Sequence, residues 1–165
     1  MSKETRRDVG LVFIMFLLSA GGMTSVFRGY RILSWVVIAT SELHLSIVLL
    51  LAAILSDDEN FLNRHQWMWG ILPRRRTVGL VVVALLFVAI ISGFAGLYVG
   101  TEVFPSVKTP LDALYISSFT LALTDYSPKP GYGQLVVLAQ LVSSILLVVA
   151  LFPLLISRIS TFKHL

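Results

Sequence analysis

The sequence predicts an all-α membrane protein with four transmembrane helices per subunit. Of its 165 residues, 56% are hydrophobic and only 13% are charged, which is too little charge to cover the surface of a soluble domain of this length. The apolar residues form four runs, and each is long enough to cross a bilayer, which takes about 20 residues. The runs are 9–27, 33–55, 77–100 and 134–159.

The basic residues predict the orientation of these spans. Nine of the 13 Lys and Arg residues lie before the first run, between the second and third, or at the end of the fourth and beyond it, so these nine share one side of the membrane if both termini are cytoplasmic. Arg28 and Arg31, in the short outer turn between the first two runs, oppose this rule. We expect a multi-pass protein of the plasma membrane with a helix hairpin over 1–56, a cytoplasmic linker over 57–76 and a second unit over 77–165.

The composition argues against several classes of function. Without cysteine, the chain forms neither a disulfide nor a thiolate metal site. The three histidines are far apart and no phosphate-binding loop is visible, so we expect no enzyme activity, no cofactor and no small-molecule substrate. The net charge of +4 comes from residues at the membrane edges, which does not favour nucleic-acid binding.

Two ionisable residues, Glu42 and His44, lie near the middle of the second run. Such residues are costly inside a membrane and are therefore functional candidates. They are two positions apart, so they point to different faces of a helix and do not hold one ion together. One interpretation is a neutral Glu42 that hydrogen-bonds to a neighbouring helix, and the other is a proton-sensing or modulatory role.

The linker over 57–76 combines aromatic and basic side chains. Tryptophans beside arginines suit a helix that lies in the membrane interface. The arginine cluster either attracts anionic lipid headgroups, by about 1 kcal/mol per charge near the surface, or serves only as a topology anchor. Membrane lipids are the expected partners of these residues, which are Trp67, Trp69, Arg74, Arg75 and Arg76.

A short segment between the third and fourth runs carries strong helix-start signals. Thr109 is a capping residue, Pro110 fits the first helical position and Asp112 suits the positive N-terminal end. A helix over 110–121 is about 18 Å long at 1.5 Å per residue, which is too short to span and too apolar for an exposed loop. We expect a half-membrane helix whose C-terminal end, with its partial negative charge, favours a cation.

This segment resembles the pore helix of the potassium-channel family. The match rests on 111–120, Leu-Asp-Ala-Leu-Tyr-Ile-Ser-Ser-Phe-Thr, and on Pro128 and Gly133 at the family's post-filter positions. The resemblance implies a homotetramer with a re-entrant pore loop in each subunit. The third run is then the outer helix, 110–121 the pore helix with Asp112 and Thr120, 122–128 the filter loop and 133–159 the inner helix.

The filter departs from the family's Thr-Val-Gly-Tyr-Gly. Asp125 and Ser127 carry a Cβ where the family has glycine, which disfavours a cage of backbone carbonyls. Four Asp125 side chains form instead a carboxylate ring that binds the permeant cation, K⁺, Na⁺ or Ca²⁺. The alternative is that Asp125 hydrogen-bonds behind the loop and the path is closed. The filter residues are Leu123, Thr124, Asp125, Tyr126 and Ser127.

The last run begins with Gly131-Tyr132-Gly133, which spells the family's filter tripeptide about ten residues past the pore helix. We expect these residues to form a turn, with glycine at positive φ. A proline near the cytoplasmic end bends the helix near a gate or merely strains its packing, and a leucine repeat lines the gate or packs. The inner-helix positions concerned are Ser143, Leu147, Leu151 and Pro153.

Small residues at helix spacing mark contacts in the first and third runs. They are Ser19 to Gly22 in the first, and Ser92, Gly96 and Gly100 in the third.

We interpret the chain as the pore-forming subunit of a tetrameric cation channel with reduced potassium selectivity. The alternatives are a non-conducting scaffold or regulatory subunit that keeps the pore fold, and a small proton-coupled transporter that uses Glu42.

Overall fold

The computed structural model describes residues 3–55, 76–119 and 127–151. The described residues are helical and contain no strand. The elements are α1 (Lys3–Arg28), α2 (Arg31–Leu55), α3 (Arg76–Thr101), α4 (Pro110–Phe119), α5 (Tyr132–Ile145) and a π-helical segment (Leu146–Leu151) that continues α5.

Three of these helices are long and apolar enough to cross a membrane: Thr5–Arg28, Arg31–Leu50 and Thr77–Thr101. A helix suits these sequences because it satisfies every backbone hydrogen bond internally where no water is available. The prediction of helices with the length and apolar character of membrane spans is confirmed for these three segments. The fourth predicted span is described as a shorter apolar helix over Tyr132–Val148, and the rest of that run lies outside the described residues.

The third helix is the centre of the fold, because α3 contacts α1, α2, α4 and α5. Its inward-facing side chains are large and fully buried, among them Leu86, Ile90, Phe94 and Tyr98. Many large apolar side chains on α1 and α2 are exposed, as expected for helices that face lipid. The N-terminal hairpin therefore packs on one side of α3, and the elements after α3 pack elsewhere on it.

The contact between α3 and the hairpin is made by small residues. A Cβ added to Gly96 of α3 would meet the hydroxyls of Ser25 on α1 and Ser34 on α2. A Cβ added to Gly22 of α1 would likewise meet Ser92 of α3. The predicted line of small residues on the third run thus faces α1 and α2. Close approach matters here because lipid is as apolar as leucine, so packing drives helix association in membranes.

We predict that Gly96→Leu destabilises the fold by about 1–3 kcal/mol, because the new side chain overpacks the contact of three helices. The matched control is Gly10→Leu, since a Cβ at Gly10 meets no atom within 4 Å, and we expect it to change stability by less than about 0.5 kcal/mol. Reversible unfolding in detergent measures both free energies. Equal effects of the two substitutions would contradict this packing.

The fourth helix runs back along α3 after the chain has turned. The turn is closed by a hydrogen bond from the Val107 amide to the Phe104 carbonyl, 3.1 Å. Near the other end of α4, the Ser117 hydroxyl donates to the Ile91 carbonyl of α3 at 2.7 Å. Ile91 lies ten residues before the end of α3, which is about 15 Å along that helix. The C-terminal end of α4 therefore lies beside the middle of α3.

The chain then returns to the end of α3 before α5 begins. The Lys129 amide donates to the Val103 carbonyl at 2.8 Å, two residues past the end of α3. Gly131 has a φ of 77°, a value that few residues other than glycine adopt without cost, and α5 starts at Tyr132. The expected turn into the last helix is confirmed.

A π-helical segment, Leu146–Leu151, continues α5. Pro153 follows two residues later in the sequence and has no N–H to donate to a carbonyl of the preceding turn. Wider helical turns of this kind occur where the regular hydrogen-bond ladder is interrupted, often at functional positions. Pro153 itself, and with it the predicted bend, lies outside the described residues.

Candidate functional site

The start of α4 is held by a reciprocal pair of hydrogen bonds. The Thr109 amide donates to Asp112 Oδ2 at 2.9 Å, and the Asp112 amide donates to Thr109 Oγ1 at 3.1 Å. The Lys108 amide also approaches Asp112 Oδ2, at 3.3 Å. The predicted helix start at Pro110 is confirmed, and Asp112 stabilises it through direct hydrogen bonds as well as through its charge.

The hydrogen bond with the Thr109 side chain, followed by that with the Thr109 backbone, lowers the pKa of Asp112. In the folded protein the pKa of Asp112 is below the ordinary value of about 3.9. The charged Asp112 cap therefore stabilises α4 fully at pH values above that ordinary value, and this stabilisation is lost as the pH falls through the folded pKa.

We predict that Thr109→Ala raises the pKa of Asp112 toward its ordinary value, as measured by carbon-13 NMR of the Asp112 carboxyl. Thr101→Ala, the control, leaves it in place because Thr101 bonds to the Leu97 carbonyl instead. An unmoved pKa in Thr109→Ala would contradict the cap.

A buried polar network fixes the other end of α4. The Gln140 amide of α5 donates to both the carbonyl and the hydroxyl of Ser117, at 2.6 and 2.8 Å. The Ser117 hydroxyl in turn donates a hydrogen bond to the Ile91 carbonyl. On the other side of the amide, the Tyr98 hydroxyl of α3 donates to Gln140 Oε1. Tyr98 and Gln140 are completely buried, and Ser117 is 3% exposed.

This network provides hydrogen-bond partners for two kinds of buried polar group, a carbonyl at a helix end and a side-chain amide. The last four carbonyls of a helix have no partner within the helix, and the Ser117 carbonyl is one of them because α4 ends at Phe119. A buried amide side chain is also costly unless its donors and acceptor are all used. Gln140 uses its donors on Ser117 and its acceptor on Tyr98, so one side chain ties α3, α4 and α5 together.

We predict that Tyr98→Phe destabilises the fold by about 1–3 kcal/mol, because Gln140 Oε1 loses its donor in a buried site. The control is Tyr132→Phe, whose hydroxyl-bearing side chain is 48% exposed, with an expected change within about 0.5 kcal/mol. Chemical unfolding of the two purified variants provides the comparison. The network would be refuted as a stabilising element if both variants unfolded like the wild type.

A second connection lies at the C-terminal end of α3. Glu102 Oε2 and Lys129 Nζ are 3.0 Å apart, beside the Lys129–Val103 backbone bond. Glu102 has a φ of 51°, which ends α3 in a left-handed conformation. The pair is exposed, so it contributes at most about 1 kcal/mol, and its main effect is to hold the residues after 127 against α3.

In sequence, the predicted filter lies between these two connections: the Ser117–Gln140 network precedes it and the Lys129–Glu102 pair follows it. Ser127 is exposed and lies two residues before Lys129. Phe119, the last residue of α4, lies two residues after Ser117. Outside the described residues lie the predicted site residues Thr120, Leu123, Thr124, Asp125 and Tyr126, together with Trp67, Trp69, Arg74 and Arg75, whereas Arg76 is the first residue of α3.

Two of the inner-helix candidates, Ser143 and Leu147, lie on the side of the last helix that packs within the chain. Ser143 is buried and donates to the Ala139 carbonyl at 2.8 Å, and Leu147 is 2% exposed. Leu151 is the last residue of the π-helical segment. The free face of α5 is apolar and consists of Leu135, Leu138, Val142 and Ile145.

The predicted intramembrane residues of α2 lie apart from this network. Ser41 Oγ and Glu42 Oε1 are buried and have no hydrogen-bond partner within the described part of the chain. The expected bond between Glu42 and a neighbouring helix is therefore absent among residues 3–55, 76–119 and 127–151. His44 is partly buried and, two positions away, does not join Glu42.

Tyr98 and Gln140 are functional candidates that the sequence patterns did not single out. A usable signal was present, because Gln140 lies well inside an apolar run, and a buried amide there requires partners. Comparison of the chain with protein-family models, with characterised proteins and with solved structures finds no match. The function is therefore inferred from the geometry of the site.

Proposed function

We propose that the protein is the pore-forming subunit of a tetrameric cation channel that resembles potassium channels. In this proposal α3 is the outer helix, α4 the re-entrant pore helix and α5 the inner helix, in a plasma membrane with both termini cytoplasmic. The single observation that carries it is the Ser117–Ile91 hydrogen bond. It lies about 15 Å from the end of a spanning helix, which is half of a hydrocarbon core of about 30 Å.

The return of the chain supports the same proposal. Residues 120–126 connect the end of α4, beside the middle of α3, to Ser127, close to the end of α3. An extended chain covers at most about 3.3–3.6 Å per residue, so seven residues reach well beyond the 15 Å required. The positions of Phe119 and Ser127 are therefore compatible with a filter loop that extends from the middle of the membrane to its outer surface.

The free side of α4 supports assembly around a shared axis. A helix end at mid-depth is tolerated only if protein or a water-filled cavity covers it. Gln140 satisfies the Ser117 carbonyl, but Ser118 and Phe119 on the other side of the helix are exposed in the single chain. Four copies around one axis place these exposed groups at a common cavity, where the negative end of each α4 attracts a cation.

Within this assembly, Asp125 is the proposed selectivity residue. Four carboxylates in a ring concentrate cations and suit hydrated Na⁺ or Ca²⁺ as well as K⁺. The proposed lining of the inner pore is the free face of α5, with Leu138, Val142 and Ile145, because Ser143 and Leu147 are buried within the chain. The proposed gate lies in the π-helical segment and at Pro153.

The test is ion flux through the purified protein in liposomes and planar bilayers. We predict passive cation flux, with weak discrimination between Na⁺ and K⁺, that falls on the order of 10-fold in Asp125→Asn at low ionic strength, since focused charge raises local ion concentration by at least that factor. Reversal potentials measured under ion gradients should shift in the same variant. Glu102→Gln is the control, because that carboxylate is 81% exposed and faces Lys129.

Two experimental outcomes would replace this proposal by another function. If the assembled protein passes no ions, a scaffold or regulatory subunit with a pore fold is favoured. If flux is coupled to protons, a proton-coupled transporter is favoured, and Glu42 Oε1, which is buried without a hydrogen-bond partner in the described residues, is the observation that supports it. In that case flux would require a proton gradient and would be abolished by Glu42→Gln, whereas the channel proposal expects Glu42→Gln to leave passive flux in place.

A further inference from the structure

The turn between α1 and α2 carries two arginines that the pore does not use. Arg28 is the last residue of α1 and Arg31 the first of α2, and both are exposed. They are also the terminal residues of two spans, Thr5–Arg28 and Arg31–Leu50. Both guanidinium groups therefore lie at the level of the lipid headgroups, whichever side of the membrane this turn faces.

The turn that presents these arginines is rigidly held. Gly29 has a φ of 65°, and the Tyr30 amide donates to the Ser25 carbonyl at 3.2 Å. A Cβ at Gly100 of α3 would lie 3.3 Å from the Gly29 carbonyl and 3.4 Å from Arg31 Cβ. The two side chains thus start from fixed positions against the outer end of α3, which limits the entropy lost when they bind a ligand.

The charge of this pair is uncompensated within the described residues. The carboxylates near the outer end of the fold are engaged elsewhere, Glu102 with Lys129 and Asp112 with the start of α4. The sequence places no acid between Arg28 and Ser41. The positive charge of the two guanidinium groups is therefore available to an anionic partner from the membrane.

Exposed aromatic side chains lie next to the pair or within one helical turn of it. Phe27, Tyr30 and Trp35 are 58%, 55% and 45% exposed. Exposed aromatic rings at the ends of spans lie at the boundary between headgroups and acyl chains. A phospholipid that rests on these rings brings its phosphate within reach of the guanidinium groups.

We propose that Arg28 and Arg31 bind the phosphate of an anionic phospholipid in the leaflet that this turn contacts. Guanidinium forks bind phosphate oxygens through paired charged hydrogen bonds, while the exposed rings contact the acyl chains. The site selects a lipid with net negative charge because a zwitterionic headgroup places its own cation beside the arginines.

Trp35 provides a local readout, one helical turn beyond Arg31. In a Trp67→Phe, Trp69→Phe background it is the only tryptophan. The protein is reconstituted in vesicles that contain a brominated lipid, which quenches nearby tryptophan, and the quenching by brominated anionic phospholipid is compared with that by brominated zwitterionic phospholipid. We predict stronger binding of the anionic lipid, on the order of 30-fold for two arginines near the surface.

Three variants separate charge from folding and location. Arg28→Gln with Arg31→Gln should bring the relative affinity to about one, whereas Arg28→Lys with Arg31→Lys should keep a clear preference because the charges remain. Arg6→Gln with Arg7→Gln, at the opposite end of α1, should leave the preference unchanged.

Equal quenching by the two lipids in the unmodified arginine background would overturn the proposal. So would loss of the preference in millimolar inorganic phosphate, because free phosphate would then outcompete the lipid and would be the ligand that the site favours.

Discussion

One buried amide side chain connects three helices of this fold. Gln140 donates to Ser117 on α4 and accepts from Tyr98 on α3, and all three side chains are buried. An unpaired polar group in a buried site costs about 1–3 kcal/mol, so the packing in which these side chains meet is favoured. The position of α4 along α3, the direction of its C-terminal end and the entry of α5 all depend on this constraint.

The N-terminal hairpin contributes a rigid frame around α3. Gly22, Ser25 and Gly96 let the backbones of α1 and α3 approach closely, and the Ser19 hydroxyl donates to the Leu85 carbonyl across the same contact at 2.7 Å. Because α3 is fixed on this side, the carbonyl of Ile91 is a stable anchor for α4 on another. The contacts of the hairpin thus position α3, and the hydrogen bond from Ser117 to α3 in turn positions the proposed pore helix.

The sequence was sufficient for the local features of this molecule. Apolar run lengths predicted the three long helices, Thr109 and Asp112 predicted the start of α4, and Gly131 predicted the turn before α5. Each of these depends on residues close together in the chain. The exposed or buried side of a helix was harder to predict, because a run that is apolar on all faces does not indicate which face meets protein.

This difficulty explains the residues that the patterns missed or placed differently. Leu147 belongs to a leucine repeat that is equally suited to a pore or to a core, and its burial follows only from the tertiary packing. Gln140 and Tyr98 are 42 residues apart, so their contact follows only from the tertiary packing. Glu42 was recognised as unusual, yet its orphaned oxygen is visible only in the fold.

The central claim is that the end of α4 lies at mid-membrane beside an axis shared by four copies. The chain has no cysteine, so Ser118→Cys introduces a single site for a spin label on the exposed face of α4. We predict a label at the depth of the bilayer centre, near a water-filled cavity, with two inter-label distances in a ratio of about 1.4, as four-fold symmetry requires. A label at the headgroup level, or one without a neighbouring label, would contradict the account.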